Sequence, residues 1–204
     1  MIIIEPSAVR VPGDDPADWA ARIEQLARTC TGTVGRRSAD PGRWVERRVL
    51  AGHDGVLEHV QASYRIVCSR SCSHQLVRHR MASYLQRSQR YTAEPPAGVR
   101  FVLPLGVQDP EIAAEIGAIY EAAERSYELL LSLGLPREDA RCVLPAGTAT
   151  ELVATANLRS WRHFLGLRLD GHAQAEIRNI AGQIAADLRT VAPWALAGMP
   201  AFSC

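Results

Sequence analysis

Three Asp-Pro pairs, Asp15-Pro16, Asp40-Pro41 and Asp109-Pro110, constrain the fold of this chain more than any other feature. An Asp at a helix N-cap accepts a hydrogen bond from one of the first backbone N–H groups, which have no partner inside the helix. Proline at the next position lacks an N–H that would be orphaned there anyway, and its fixed φ is already helical. Each pair therefore predicts a helix start at a known residue. The first helix is expected through about Arg28, and the second to Gly52, which suits a C-cap. The third carries Ile112, Ile116, Ile119, Ala123 and Leu130 at helical spacing and stops at Gly134. Pro136 is expected to open a short helix that holds Arg141.

Between these helices, Val60, Ala62, Tyr64, Ile66 and Cys68 alternate with mostly polar residues, which predicts a strand with one buried face. A helix-like segment follows through Gln75, Leu76 and His79. Residues 148–156, rich in Thr, Val and Ala, predict a second long strand, and the Ile2–Ile4 run a short first one. Residues 92–108, with Pro95, Pro96, Gly98, Pro104 and Gly106, read as loop. Ala173, Ile177, Ile180, Ile184, Leu188 and Val191 share one face of a last helix that ends before Pro193. The fold class expected is α/β, as a single mixed α/β domain over residues 1–204. Apolar residues make up 47% of the chain, enough for a sizeable core.

Several function classes are excluded. All 23 basic residues are arginine, so lysine Schiff-base chemistry, pyridoxal phosphate attachment and a Walker A loop are impossible. No G-x-G-x-x-G occurs, hence no Rossmann dinucleotide fingerprint. A net charge of +1 gives no bulk attraction to nucleic acid or to a membrane surface. No apolar run is long enough to span a membrane. The start Met1-Ile2-Ile3-Ile4-Glu5 lacks the basic region of a signal peptide. With an odd count of five cysteines (Cys30, Cys68, Cys72, Cys142 and Cys204), it suggests a reducing, cytoplasmic setting. Cys68, Cys72 and His74 lie close together, but no second ligand pair follows at zinc-finger spacing. No metal is expected.

The chemistry concentrates in Arg78-His79-Arg80-Met81-Ala82-Ser83-Tyr84-Leu85-Gln86-Arg87-Ser88-Gln89-Arg90-Tyr91. This stretch has four arginines and no acid. A solvated face normally mixes signs, so cations alone call for an outside anion. Arginine forks suit phosphate and carboxylate, while serine hydroxyls and glutamine amides complete a phosphate cradle or read a base edge. From residue chemistry alone, a basic face paired with acids elsewhere in the chain stays open beside an anion site.

Arg78-His79-Arg80, seven residues, then Ser88, continued by Arg90-Tyr91, resembles the signature of the flavin-dependent thymidylate synthases. The resemblance extends upstream to His53-Asp54-Gly55-Val56-Leu57-Glu58-His59. Downstream it takes in Pro136-Arg137-Glu138-Asp139-Ala140-Arg141-Cys142-Val143-Leu144-Pro145 and Asn157-Leu158-Arg159-Ser160. Phe164-Leu165, Leu167-Arg168, His172-Ala173-Gln174 and Glu176-Ile177 follow in order. The match runs from about residue 50 to 194 and is loose before that.

Family membership would imply methylation of C5 of dUMP to give dTMP, with methylenetetrahydrofolate as carbon donor, FAD held without a Rossmann domain, and NADPH as reductant. It also implies a homotetramer with active sites between subunits, and no nucleic-acid or membrane partner. Carried over by position, Gln75, Ser88, Arg90 and Arg141 surround the phosphate, and Arg78 and Gln86 lie near the sugar. Arg87 and Gln89 belong to the same nucleotide-binding stretch. Arg168 engages the uracil ring, where a guanidinium would stabilise negative charge developing on the pyrimidine. Flavin contacts fall on His53, Gly55, Glu58, Arg78, His79, Arg80, Met81, Asn157, Arg159 and His163.

Ser88 and Arg168 are the residues expected to act on the pyrimidine. Ser88 is read as a hydrogen-bonding and orienting group, since no general base accompanies it in the motif. The sequence departs from the family where Gly55 replaces a usual threonine, Cys30 a usual serine, and Gln86 a glutamate found in some members. A related flavoenzyme that methylates UMP, as in nucleoside-antibiotic pathways, would show the same core motif. Two other classes are weaker. A metal phosphohydrolase would need a histidine before His53, and none occurs. A basic RNA-binding module would predict steep salt dependence and no chromophore.

Overall fold

All three Asp-Pro pairs start helices. The computed structural model describes residues 1–13, 15–92 and 98–200. Asp15, Asp40 and Asp109 each sit at an N-cap with their side chains accepting from Ala17, Arg43 and Glu111 N–H. In chain order the elements are β1 (Ile2–Ile3), β2 (Ser7–Arg10), α1 (Pro16–Ala27), α2 (Pro41–Leu50), β3 (Gln61–Ser69) and α3 (Arg70–Leu76). They continue with β4 (Ser83–Gln86), β5 (Arg100–Phe101), α4 (Pro110–Ser132), α5 (Arg137–Ala140), β6 (Ala149–Asn157), α6 (Leu158–Arg168) and α7 (Ala175–Val191). Gly52 and Gly134 close α2 and α4 with φ of +81° and +88°, a backbone region that costs a residue with a Cβ.

The centre is an antiparallel four-stranded sheet in the order β2-β3-β6-β4. Strands β3 and β6 pair over their whole length, from Gln61 opposite Asn157 to Ser69 opposite Ala149. Their alternation puts Ala62, Tyr64, Ile66, Cys68, Leu152, Ala154 and Ala156 on one buried face. Against it lie Trp161, Phe164 and Leu165 of α6 and Ile177, Ile180, Ile184 and Leu188 of α7, all buried in the same cluster. Trp19 and Ile23 of α1 and Trp44, Val45 and Val49 of α2 extend that core. A smaller core joins α4 to β5 through Tyr120, Tyr127, Val99 and Phe101, with the Phe101 and Tyr120 rings stacked at 4.6 Å.

The opposite face of the sheet stays open. Ser63, Arg65, Val67, Val153 and Thr155 line it, and Val9 and Leu85 on the flanking strands are 64% and 78% exposed.

Three elements were not legible as such. Strand β2 is four residues, too short for a period to register. The expected helix-like segment ends at Leu76 rather than reaching His79, and part of the arginine-rich stretch is strand β4. Helix α6 starts straight from β6 without a break, because Asn157 is both the last strand residue and the N-cap. Arg141 lies in a 3-10 turn that follows α5 directly. The loop expected over 92–108 contains β5, while Pro95, Pro96 and Cys204 lie outside the described residues.

Candidate active site

A cavity of about 520 Å³ opens where the turn between α3 and β4 meets β6 and α6. That volume is typical of a small-molecule or cofactor site. Its polar lining includes Arg78 and Arg80 from the turn and Asn157, Arg159, His163 and Arg168 from the start and one face of α6. Glu58, His79 and Met81 also line it, and Leu76, Ala154, Ala156, Trp161 and Phe164 form an apolar wall. The turn is fastened by Tyr84, whose hydroxyl hydrogen-bonds to the Leu76 carbonyl at 2.8 Å and the His79 carbonyl at 3.0 Å.

Charge in the cavity is unbalanced. Among the described residues Glu58 is its one lining acid and is taken by Arg159, whose Nη1 donates to Glu58 Oε1. Arg78, Arg80 and Arg168 have no acid partner among the described residues. Arg168 Nε instead donates to His79 Nε2 at 3.0 Å. Burial, then the Arg168 charge, then His163 push the His79 imidazole down to about 4, so it is neutral near pH 7. Asn157 uses Oδ1 to accept the Ser160 N–H at 2.8 Å, which caps α6.

The residues expected on the nucleotide side gather elsewhere, around α3, the end of β4 and the segment after α5. Arg90 Nε donates to Glu138 Oε2 at 3.2 Å, and Arg141 Nε to the Glu138 carbonyl at 3.0 Å. Arg90 N–H donates to Ser88 Oγ at 3.2 Å. Gln86 Nε2 donates to Ser73 Oγ and Thr150 Oγ1 at 3.1 and 3.2 Å, and Gln75 Nε2 donates to Gln174 Oε1. The Arg87 N–H donates to the Glu151 carbonyl at 2.8 Å and prolongs the ladder beyond β4. Gln89 Nε2 is buried and has no partner among the described residues. His53 and Gly55 are exposed at the 3-10 turn Asp54–His59 and do not line the cavity.

The model of the family described as "Thymidylate synthase complementing protein" matches residues 15–194. A flavin-dependent thymidylate synthase from Thermococcus kodakarensis is 42% identical over 191 residues, covering 88% of this chain and 78% of the relative. This chain belongs to the flavin-dependent thymidylate synthase family. A relative of the same name from Mycolicibacterium gilvum is 39% identical over 199 residues, covering 88% and 79%. The crystal structure of the UMP/dUMP methylase PolB from Streptomyces cacaoi bound with 5-Br dUMP superposes with a TM-score of 0.83, over 96% of this chain and 95% of that one. At 23% identity that likeness shows the shared fold, a mixed α/β domain.

As a flavin-dependent thymidylate synthase family member, the protein is a flavoenzyme and a pyrimidine C5-methyltransferase by class. The cavity fits a flavin on its own chemistry. Its apolar wall suits a planar ring system, and its arginines without acid partners suit a pyrophosphate. Sequence reasoning passed over Arg70, at the start of α3. Its charge is disfavoured first by burial and then by the Arg141 charge. The signal available was a fifth arginine close upstream of the motif. It also passed over Tyr84 as the clasp of the turn.

The Cys68–Cys72 pair is buried beside Glu176, their ligand atoms within 4.8 Å of one another, while His74 is exposed. Both Glu176 oxygens accept 2.6 Å hydrogen bonds from Ser69, one from its N–H and one from its hydroxyl. The carboxylate thus serves to pin the start of α3 to α7.

Proposed function

We propose that this protein converts dUMP to dTMP, with methylenetetrahydrofolate as carbon donor, FAD as the flavin and NADPH as its reductant. The observation that carries the reading is the acid-free set Arg78, Arg80 and Arg168 around an apolar-walled cavity, inside the family's signature. A bound flavin would supply the hydride that turns the transferred one-carbon unit into a methyl group. The protein's part is binding, orientation and charge. Arg78, Arg80, Asn157, Arg159 and His163 would hold the flavin. Arg168 would sit against the uracil ring and stabilise the negative charge that develops on it as C5 attacks.

Gln75, Ser88, Arg90 and Arg141 would take the nucleotide phosphate, with Gln89 Nε2 a donor ready for an acceptor. Arg78 and Gln86 would approach the sugar. Ser88 Oγ accepts a backbone N–H, as an orienting group does, and forms no covalent adduct in this scheme. A homotetramer in the cytoplasm completes the reading. Two observations favour composite sites: His53 and Gly55 lie off the cavity, and Met81, Leu85 and Tyr91 of the motif are 77%, 78% and 75% exposed in one chain. The open face of the sheet offers the surface for a second copy.

The test is the chromophore. The purified protein is expected to carry or take up FAD with flavin absorbance, and Arg80→Ala to lose it with unchanged far-UV circular dichroism. A folded wild-type protein that binds no flavin would overturn the proposal.

A further inference from the structure

We infer that His79 is a positioning residue: its Nε2 lone pair accepts the Arg168 Nε–H and fixes the plane of the guanidinium that faces the substrate. The contact is independent of function; what Arg168 then meets rests on the reading above. An arginine held in one orientation usually has a carboxylate beside it, and a carboxylate would cancel the charge. A neutral imidazole orients without neutralising. It occupies Nε and leaves both terminal NH2 groups of Arg168 without a partner among the described residues.

The residue is itself held from several sides. The His79 backbone N–H donates to the Leu76 carbonyl at 3.1 Å, and its backbone carbonyl accepts the Tyr84 hydroxyl. Its ring meets Phe164 edge-on at 4.9 Å between centroids. Acceptance at Nε2 requires the proton to reside on Nδ1. The charged and titratable groups around the ring, Arg168 and His163 from α6 and Tyr84 from β4, supply no anion that would favour imidazolium.

Two measurements on the holoenzyme test this. Nitrogen-15 spectra of selectively labelled histidine, with His79→Gln identifying the His79 signals, should show a neutral Nδ1–H tautomer at pH 6. An unperturbed histidine would be largely protonated there. A protonated His79, or an Nε2–H tautomer, overturns the inference whatever the enzyme does. In turnover at saturating FAD, His79→Leu should lower kcat on the order of 10²-fold, the usual cost of misplacing a reacting group, with the nucleotide KM changed far less. His79→Gln places an amide oxygen in reach of Arg168 Nε and should restore most of that loss, which a merely structural role would not predict. A kcat within twofold of wild type in His79→Leu, or equal loss in both variants with flavin bound, contradicts it. Wild-type protein that methylates no uridylate overturns the functional reading instead, and the spectra still decide the contact.

Discussion

Asn157 separates helix capping from cofactor binding, because one side chain does the first and lines the site of the second. Its Oδ1 accepts the Ser160 N–H at 2.8 Å, and the residue borders the cavity. Asn157→Ala removes the cap, which costs about 1 kcal/mol. For a chain of 204 residues that corresponds to a Tm lower by about 2–4 °C. Asn157→Asp keeps the acceptor and adds a negative charge at a helix N-terminus, worth about 0.3–1 kcal/mol in the favourable direction. Its Tm should equal or exceed that of wild type. The amide NH2 is lost in both variants. One hydrogen bond of about 1 kcal/mol predicts a roughly five- to tenfold weaker flavin Kd for Ala, and a larger loss for Asp, whose charge opposes phosphate. Thermal unfolding of flavin-free protein at fixed concentration gives the first quantity, and fluorescence titration with FAD the second. If Asn157→Asp melts with Asn157→Ala, or binds FAD as wild type does, the dual role is refuted.

Other outcomes follow from the same geometry. Glu176→Ala strands the Ser69 N–H in a buried site and should cost about 2–4 kcal/mol in urea unfolding, whereas a loss below about 0.5 kcal/mol would deny the pinning of α3 to α7. The folded state depresses His79 to about 4, so between pH 6.5 and 4 the unfolded chain binds the extra proton. Stability from this group is complete above pH 6.5 and is lost as pH falls towards 4. His79→Gln should flatten that limb of the stability–pH curve, and an unchanged limb would assign it to other groups. Tyr84→Phe removes the hydroxyl whose one proton the Leu76 and His79 carbonyls share and should lower stability by about 1 kcal/mol while weakening flavin binding. The exposed Arg90–Glu138 pair is worth at most about 1 kcal/mol, so Glu138→Gln should leave the Tm nearly unchanged while freeing Arg90, read as a lower KM for the nucleotide.

The parts of the fold with strong local chemistry were legible in the sequence. Asp-Pro pairs placed α1, α2 and α4, alternation placed β3, and a run rich in Thr, Val and Ala placed β6, because caps, buried faces and strand-forming residues leave a local trace. Strand β4 left none. Only Tyr84 and Gln86 turn inward from four residues, and the flanking arginines read as an anion site or a basic face rather than as a strand. Helix α6 was present as motif residues rather than as a helix, since no proline or glycine marks its start. In the site, the family resemblance named half of the residues that line the cavity, including Arg78, Arg80, Asn157, Arg159, His163 and Arg168. It did not show that Arg168 is tied to His79, or that the Arg141 charge acts on Arg70. Both join segments distant in sequence, and the first depends on how β6 brings α6 beside the turn. Nor did spacing show that the residues expected around the phosphate gather apart from the cavity within one chain.

The central claim is tested most directly by anaerobic turnover of the protein with reduced FAD and methylenetetrahydrofolate, offering dUMP and UMP separately and identifying the product by mass. The expected result is dTMP from dUMP, with formation abolished when the flavin or the folate is omitted and strongly reduced by Arg168→Ala. Methylation of UMP in preference to dUMP would reassign the substrate, and methylation of neither by flavin-loaded protein would contradict the account.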